Sequence, residues 1–449
     1  MYAPHTERDI REMLAAIGAP SLEALSSLPA GLHIAQPLNI SPPLAEAQAY
    51  AKIKDLAEQN AAARMISFLG AGAYRHYQPP AVPWFATRSE FLTSYTPYQA
   101  EASQGMLQAI FEWQTYVCLL TGMDVSNASL YDGATALVEG VIMALHANGR
   151  RRVLISRAVH PMYRAVLASY AGGMGLEVSE IPILANGLTE VQKIDASGAS
   201  CVVIQSPNFF GCIEDVGAAA RAAHAAGALS IHVTAEAMSL ALLRTPRECG
   251  ADIALGEAQS FGLPVGYGGP YLGFIATTRE HVRRLPGRLV GETKDVDGRR
   301  AFVLTLQGRE QHIRRELATS NICTNQALCA MIATVYLATV GAKGLRAIAT
   351  TNLERAHRLV DAITSLPGFA AEDDVPFFNE VCVRTPVPAE QLVRSLEKHG
   401  ILAGLPLARF YPELTHSLLV CATELTTPED IAALTRALAQ ETHRDVAAV

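Results

Sequence analysis

A chain of 449 residues, half of them hydrophobic and 18% charged, is long enough for a large domain plus at least one smaller lobe. Its net charge of -7 and the lack of any Lys/Arg run interleaved with aromatics exclude binding by phosphate neutralisation, so nucleic acid is not expected as a partner. The eight cysteines form no C-x-x-C and no metal-type pairing with His, and no run of about 18 or more apolar residues occurs. A soluble, cytoplasmic chain with reduced thiols, no metal and no membrane contact is therefore expected.

Residues 1–67 read as a helical arm. Thr6 can cap a first helix, Ser21 a second, and the stretch 44–60 has helical periodicity. A turn-rich segment from Phe68 to Pro83 follows, and Pro97 is expected to open a long amphipathic helix ended by Gly122. From Tyr131 the pattern alternates between helices, at 134–147, 161–171 and 217–226, and short apolar runs, at 153–155, 178–183, 201–205, 229–233, 253–255 and 272–276. Continuous apolar strands alternating with helices predict an α/β fold, a mostly parallel sheet sandwiched by helices, over 68–325. Helical runs at 324–341 and 344–365 then lead into a small C-terminal α+β domain, giving a third region over 326–449.

Four segments carry candidate chemistry. Gly133, Ala134 and Thr135 stand at a helix start, where free N–H groups favour an anion such as phosphate; plain capping explains the same residues. His160, after a strand and before Pro161, would lie at the C-terminal edge of the sheet, where a flat ring can stack on an aromatic cofactor or simply cap the helix. The run Gly256 to Pro270, with Gly268 and Gly269, brings backbone close to a ligand or to another backbone. Thr319, Ser320, Asn321, Cys323 and Thr324 precede a long helix; Thr324 can cap it, and the other polar groups suggest a lined pocket.

Together these segments resemble the glycine cleavage system P-protein family, in its N-terminal half or first subunit. The stretches that carry the resemblance are FLGAGAYRHYQPP (68–80), FLTSYTPYQAEASQG (91–105), YDGATA (131–136), residues 252–270 and GREQHIRRELATSNICTNQ (308–326). The resemblance implies a fold-type I pyridoxal-phosphate architecture. In the complete enzyme of that family, glycine forms an aldimine with the cofactor, its carboxyl leaves as carbon dioxide, and the aminomethyl group passes to the lipoyl group of the H-protein.

Such enzymes hold pyridoxal phosphate as a Schiff base on a lysine. This chain has Lys52, Lys54, Lys193, Lys294, Lys343 and Lys398, none of them following a buried strand, the fourth in a polar loop. Alignment with the family places Gln259 at the Schiff-base position, and an amide cannot form the imine. No acid between Asp215 and Asp252 other than Glu236 and Glu248 is available to face a pyridinium nitrogen. Leu317 stands where the family motif usually has lysine.

The resemblance therefore implies a subunit without catalytic residues of its own. It would complete the site of a lysine-bearing subunit 2 that binds the pyridoxal phosphate covalently, in an α2β2 assembly served by the lipoylated H-protein. Candidates for the shared wall are Tyr95, Thr96, Tyr98, Gln99, Thr319, Ser320, Asn321 and Cys323. Gly133, Ala134, Thr135 and His160, with Gly268 and Gly269, are candidates for cofactor contact in trans or as vestiges. The competing reading is a free-standing pseudoenzyme that binds and regulates.

Overall fold

Apolar side chains on both faces of a strand demand cover on both faces, and the fold supplies it. In a computed structural model describing residues 5–29, 32, 38–322, 324–372 and 374–446, the chain forms two compact units, Met1–Ala63 and Arg64–Val449. The first holds α1 (Glu7–Ala16) and α2 (Glu46–Glu58). Thr6 closes a capping box on α1: its hydroxyl accepts from the Asp9 amide at 3.2 Å, and the Asp9 carboxylate accepts from the Thr6 amide at 2.7 Å. Ser21 does not cap a second helix: it accepts the Ala24 amide at 3.3 Å beside a three-residue 3-10 turn, Glu23–Leu25, whose N-cap is Leu22.

The second unit opens with β1 (Ile66–Ser67), the short helices α3 (Ala81–Ala86) and α4 (Ser89–Leu92), and α5 (Gln104–Thr121). Pro97 does not start α5. A 3-10 turn over Ala100–Ala102 intervenes, and Gln104 fixes the true start because its side-chain amide exchanges hydrogen bonds with both backbone groups of Phe302. Gly122 ends the helix in the left-handed conformation, with φ 70°.

The central sheet is built from β2 (Val125–Ser126), β3 (Arg152–Ser156), β4 (Glu177–Ile181), β5 (Ala199–Gln205), β6 (Leu229–Thr234), β7 (Ile253–Glu257) and β8 (Gly273–Thr277), in the order β2-β8-β7-β6-β5-β3-β4. The strands from β4 to β7 are parallel; β8 runs antiparallel to β7, and β2 antiparallel to β8. Side-chain alternation assigns the two faces. α6 (Gly133–Asn148) and α7 (Pro161–Met174) cover Val203, Ile231, Val233 and Leu255, whereas α8 (Val216–Ala225) covers Val202 and Ile204.

Next comes a hairpin of β9 (Val290–Lys294) and β10 (Arg300–Leu304), which places Lys294 at a strand end rather than in a loop. After α9 (Gln311–Arg314) come the two helical runs read in the sequence, meeting at a break at Gly341 (φ 61°, ψ 177°) and labelled together α10 (Ala327–Thr364). Thr324 does not cap it. The N-cap is Gln326, whose amide donates to the Ser129 hydroxyl at 3.0 Å. By length and composition α10 could cross a membrane, but Cys329, Ala330, Ala333, Tyr336 and Leu337 bury one side of it in the protein core. The small lobe has β11 (Glu380–Arg384), α11 (Ala389–Glu397), β12 (Ile401–Leu402), β13 (Leu405–Pro406), β14 (Ser417–Cys421) and α12 (Pro428–Val446), with sheet order β11-β14-β13. β12 pairs with β1 in parallel, which ties the start of the unit to this lobe.

Candidate functional site

Ligands in open α/β sheets collect beyond the carboxyl ends of the strands. In this chain that edge is crossed by residues 71–78 of the same polypeptide. Gln259, two residues past β7, accepts from the Tyr74 amide at 2.9 Å and donates to the carbonyls of Tyr74 at 3.0 Å and Leu263 at 2.7 Å. Both of its N–H donors and its oxygen are thereby engaged, two of the three bonds holding the crossing segment at Tyr74. The Ala71 carbonyl is 2.8 Å from His160 Nε2, and its amide donates to Glu380 of β11 at 2.5 Å. Tyr74 donates its hydroxyl to the other Glu380 oxygen at 2.6 Å.

His76 completes this strap. Its ring lies 3.1 Å from Glu236, which follows β6, and 2.8 Å from Glu424, which follows β14; its side chain is 3% exposed. Burial alone would lower the imidazolium, but the two carboxylates, Glu236 first, raise it to about 10. His76 is therefore a cation held between the carboxylates that follow β6 and β14. Glu380 is pushed up to about 7 by burial, against the pull of its hydrogen bonds from Tyr74 and Ala71.

The helix start at Gly133 is also spoken for. Glu257, the last residue of β7, accepts from the Gly133 amide at 3.0 Å, the Gln259 amide at 3.0 Å and the Leu272 amide at 2.8 Å. Asp132 takes the Thr135 amide at 2.7 Å, with Ala134 buried between. The N-terminal N–H groups and helix dipole that would attract a phosphate thus meet carboxylates of the protein. Burial raises Glu257 to about 7 in spite of these three N–H donors. Tyr163 fills the remaining space: a Cβ on Gly133 would lie 2.2 Å from its hydroxyl.

His160 caps α7. Nδ1 accepts from the Met162 amide at 3.1 Å, and the ring is flanked by Tyr163 at 4.9 Å and Phe209 at 4.8 Å. Burial pushes it down to about 4, so it is neutral. Neither possible pyridinium partner is idle: Glu236 is committed to His76, and Glu248 bonds Thr245 at the surface. All six lysines are exposed.

The remaining sequence candidates fall in two other places. Tyr98 lies over the buried Arg288 guanidinium at 5.0 Å and beside His312, while Thr96 is 3.3 Å from Thr324. Arg288 in turn is 3.7 Å from Glu310. Ser320 donates to Glu139 of α6 at 2.9 Å, and burial raises Glu139 to about 7. Thr319 is half-buried; Tyr95, Gln99, Asn321 and Leu317 are exposed; Cys323 lies outside the described residues. Gly268 and Gly269 belong to a separate surface loop with φ of 94° and 148°, next to an almost fully exposed Tyr267. Sequence reasoning missed Glu257, Tyr163 and the Tyr74, His76, Glu380 and Glu424 network. Glu257 alone left a mark, as an acid closing an apolar strand.

Against known proteins, the model of the family described as "Glycine cleavage system P-protein" matches residues 1–438. The chain belongs to the glycine cleavage system P-protein family. A relative from Moorella thermoacetica, named "Probable glycine dehydrogenase (decarboxylating) subunit 1", is 50% identical over 97% of this chain and 98% of its own length. The crystal structure of a glycine decarboxylase (P-protein) of the glycine cleavage system, in inhibitor-bound form, is 46% identical with a TM-score of 0.92, covering 98% of this chain and 99% of that one. A glutamate decarboxylase from Lactobacillus brevis shares the fold alone, with 13% identity and a TM-score of 0.67 over 92% of this chain and 95% of that one. This P-protein family member accordingly has the fold-type I architecture of pyridoxal-phosphate enzymes.

Proposed function

We propose that this chain is subunit 1 of a two-subunit glycine dehydrogenase (decarboxylating) of the glycine cleavage system. In this reading a homologous, lysine-bearing subunit 2 holds the pyridoxal phosphate covalently. The assembly is α2β2 and cytoplasmic, and it passes the aminomethyl group of glycine to the lipoyl group of the H-protein. The observation that carries the reading is the state of this chain's own cleft. By the family resemblance an amide, Gln259, stands where the cofactor's aldehyde needs an amine, and in the structure its N–H groups and oxygen are engaged with Tyr74 and Leu263. A carboxylate, Glu257, sits at the helix start where a phosphate would bind. The fold family's cofactor does not fit these residues, and when bound by the partner it supplies the electron sink for decarboxylation.

This chain's part is then to shape the partner's site. Residues 68–325 supply the wall and 326–449 the supporting helices and small domain, with 1–67 as an arm. Exposed Tyr95 and Gln99, with Thr96, Tyr98, Thr319, Ser320, Asn321 and Cys323, are the proposed wall. Gly268 and Gly269 offer backbone N–H groups in trans, while Gly133, Ala134, Thr135 and His160 are vestiges. The test is co-expression with the lysine-bearing homologue, followed by an assay of carbon dioxide release from glycine with lipoylated H-protein. Activity should need both chains. Decarboxylation by this chain alone, or full activity of the homologue without it, contradicts the proposal.

A further inference from the structure

Arg288 is a buried cation held on a fixed base. Its carbonyl accepts from the Ala128 amide at 2.8 Å, and two residues later both backbone groups of Val290 are bonded by the Gln114 side chain at 2.9 Å. The Arg288 side chain is 2% exposed, and Glu310, at 3.7 Å, is shared with His312 at the same distance. Over the guanidinium lies the ring of Tyr98, its centroid 5.0 Å away, with Nη2 3.4 Å from the hydroxyl. His312 meets that ring edge-on at 6.5 Å. The residues that make these contacts all belong to the second unit.

Stability alone does not explain a charge at this position, because well-packed apolar side chains commonly replace a buried ion pair without loss. The explanation lies in what the charge holds. The rest of the second unit leaves at least 58% of Tyr98 uncovered, so packing within that unit does not fix its ring. A desolvated guanidinium attracts the negative face of an aromatic ring more strongly than one in water, and its planar fork defines an orientation that an ammonium does not. The Thr96 hydroxyl, 3.3 Å from that of Thr324, supplies a second tie for the same segment. We propose that Arg288 is the positioning residue of the shared wall: its guanidinium fixes the ring of Tyr98, and with it the segment 95–99, at the face that this chain gives to the subunit 2 site. The inference rests on the proposed function and adds to it a residue that acts through Tyr98.

The experiment is a double-mutant cycle in the two-subunit complex. Wild type, Arg288→Met, Tyr98→Leu and the double variant are each assembled with the lysine-bearing homologue, and kcat and KM for glycine are measured with lipoylated H-protein. Each single change should lower kcat/KM by about ten-fold or more. The double variant should lose no more than the worse single one, because the second change removes a contact already gone. Arg288→Lys keeps the charge without the planar fork and should recover only part of the loss. Sizing by light scattering and the thermal midpoint of each isolated chain accompany the assays; where Arg288→Met does not fold, the cycle is run with Arg288→Lys. Losses that multiply in the double variant overturn the inference, as does full activity of either Arg288 variant. If the wild-type chain neither binds the homologue nor is needed for its activity, the proposed function falls; multiplied losses in an active complex strike the role of Arg288 alone.

Discussion

His76 is the clearest case of one side chain doing what its sequence neighbours give no hint of. As a cation between Glu236 and Glu424, it prevents two buried carboxylates from facing an apolar interior without a counter-charge. Replacing it by glutamine should cost about 3–5 kcal/mol, the usual price of breaking a buried ion pair from one side. Because its folded-state value, about 10, lies above the ordinary 6.5, this stabilisation is complete below about pH 6.5 and is lost as pH climbs through 10. Urea denaturation of wild type and His76→Gln at pH 6, 8 and 10 should therefore show a gap that closes with rising pH; a constant gap would mean that the imidazolium charge is irrelevant. Gln259 could be read from the sequence because an absence of lysine is a sequence property. The strap residues could not, since Tyr74, His76, Glu380 and Glu424 meet only after the chain has closed on itself across about 300 residues or more.

At the scale of elements, the apolar runs located β3, β5, β6 and β7, which are buried on both faces along most of their length; the edge strand β4 was located as well, although Glu177, Val178 and Glu180 are exposed. The hairpin of β9 and β10 escaped: Glu292, Thr293 and Lys294 are exposed and give β9 no apolar pattern, while the short apolar run Ala301 to Leu304 of β10 was not read as a strand. The antiparallel direction of β8 escaped too, because an apolar run does not encode direction. Glycine has a positional meaning at the end of β7: a Cβ on Gly256 would lie 1.9 Å from the Thr234 carbonyl oxygen on β6. That neighbour is backbone and cannot rotate away. Gly256→Ala should force β6 and β7 apart next to Glu257 and destabilise the protein by about 3 kcal/mol, the upper end of ordinary overpacking, measured as a fall in the urea midpoint. An unchanged midpoint would show that the strand ends yield freely.

For the whole molecule, the chain has the fold of a pyridoxal-phosphate enzyme, with residues 71–78 crossing the carboxyl edge of its sheet; in the proposed function this crossing closes a cleft that the cofactor does not use. The strap is anchored on Gln259, Glu236, Glu380 and Glu424, so it ties the ends of β6 and β7 to β11 and to the residues after β14. The most direct test reduces the active two-subunit complex with borohydride, which fixes any lysine-bound cofactor, and maps the labelled peptides. Label confined to the partner subunit is the predicted result; a reduced pyridoxyl group on any lysine of this chain, recovered in proportion to activity, would contradict the account.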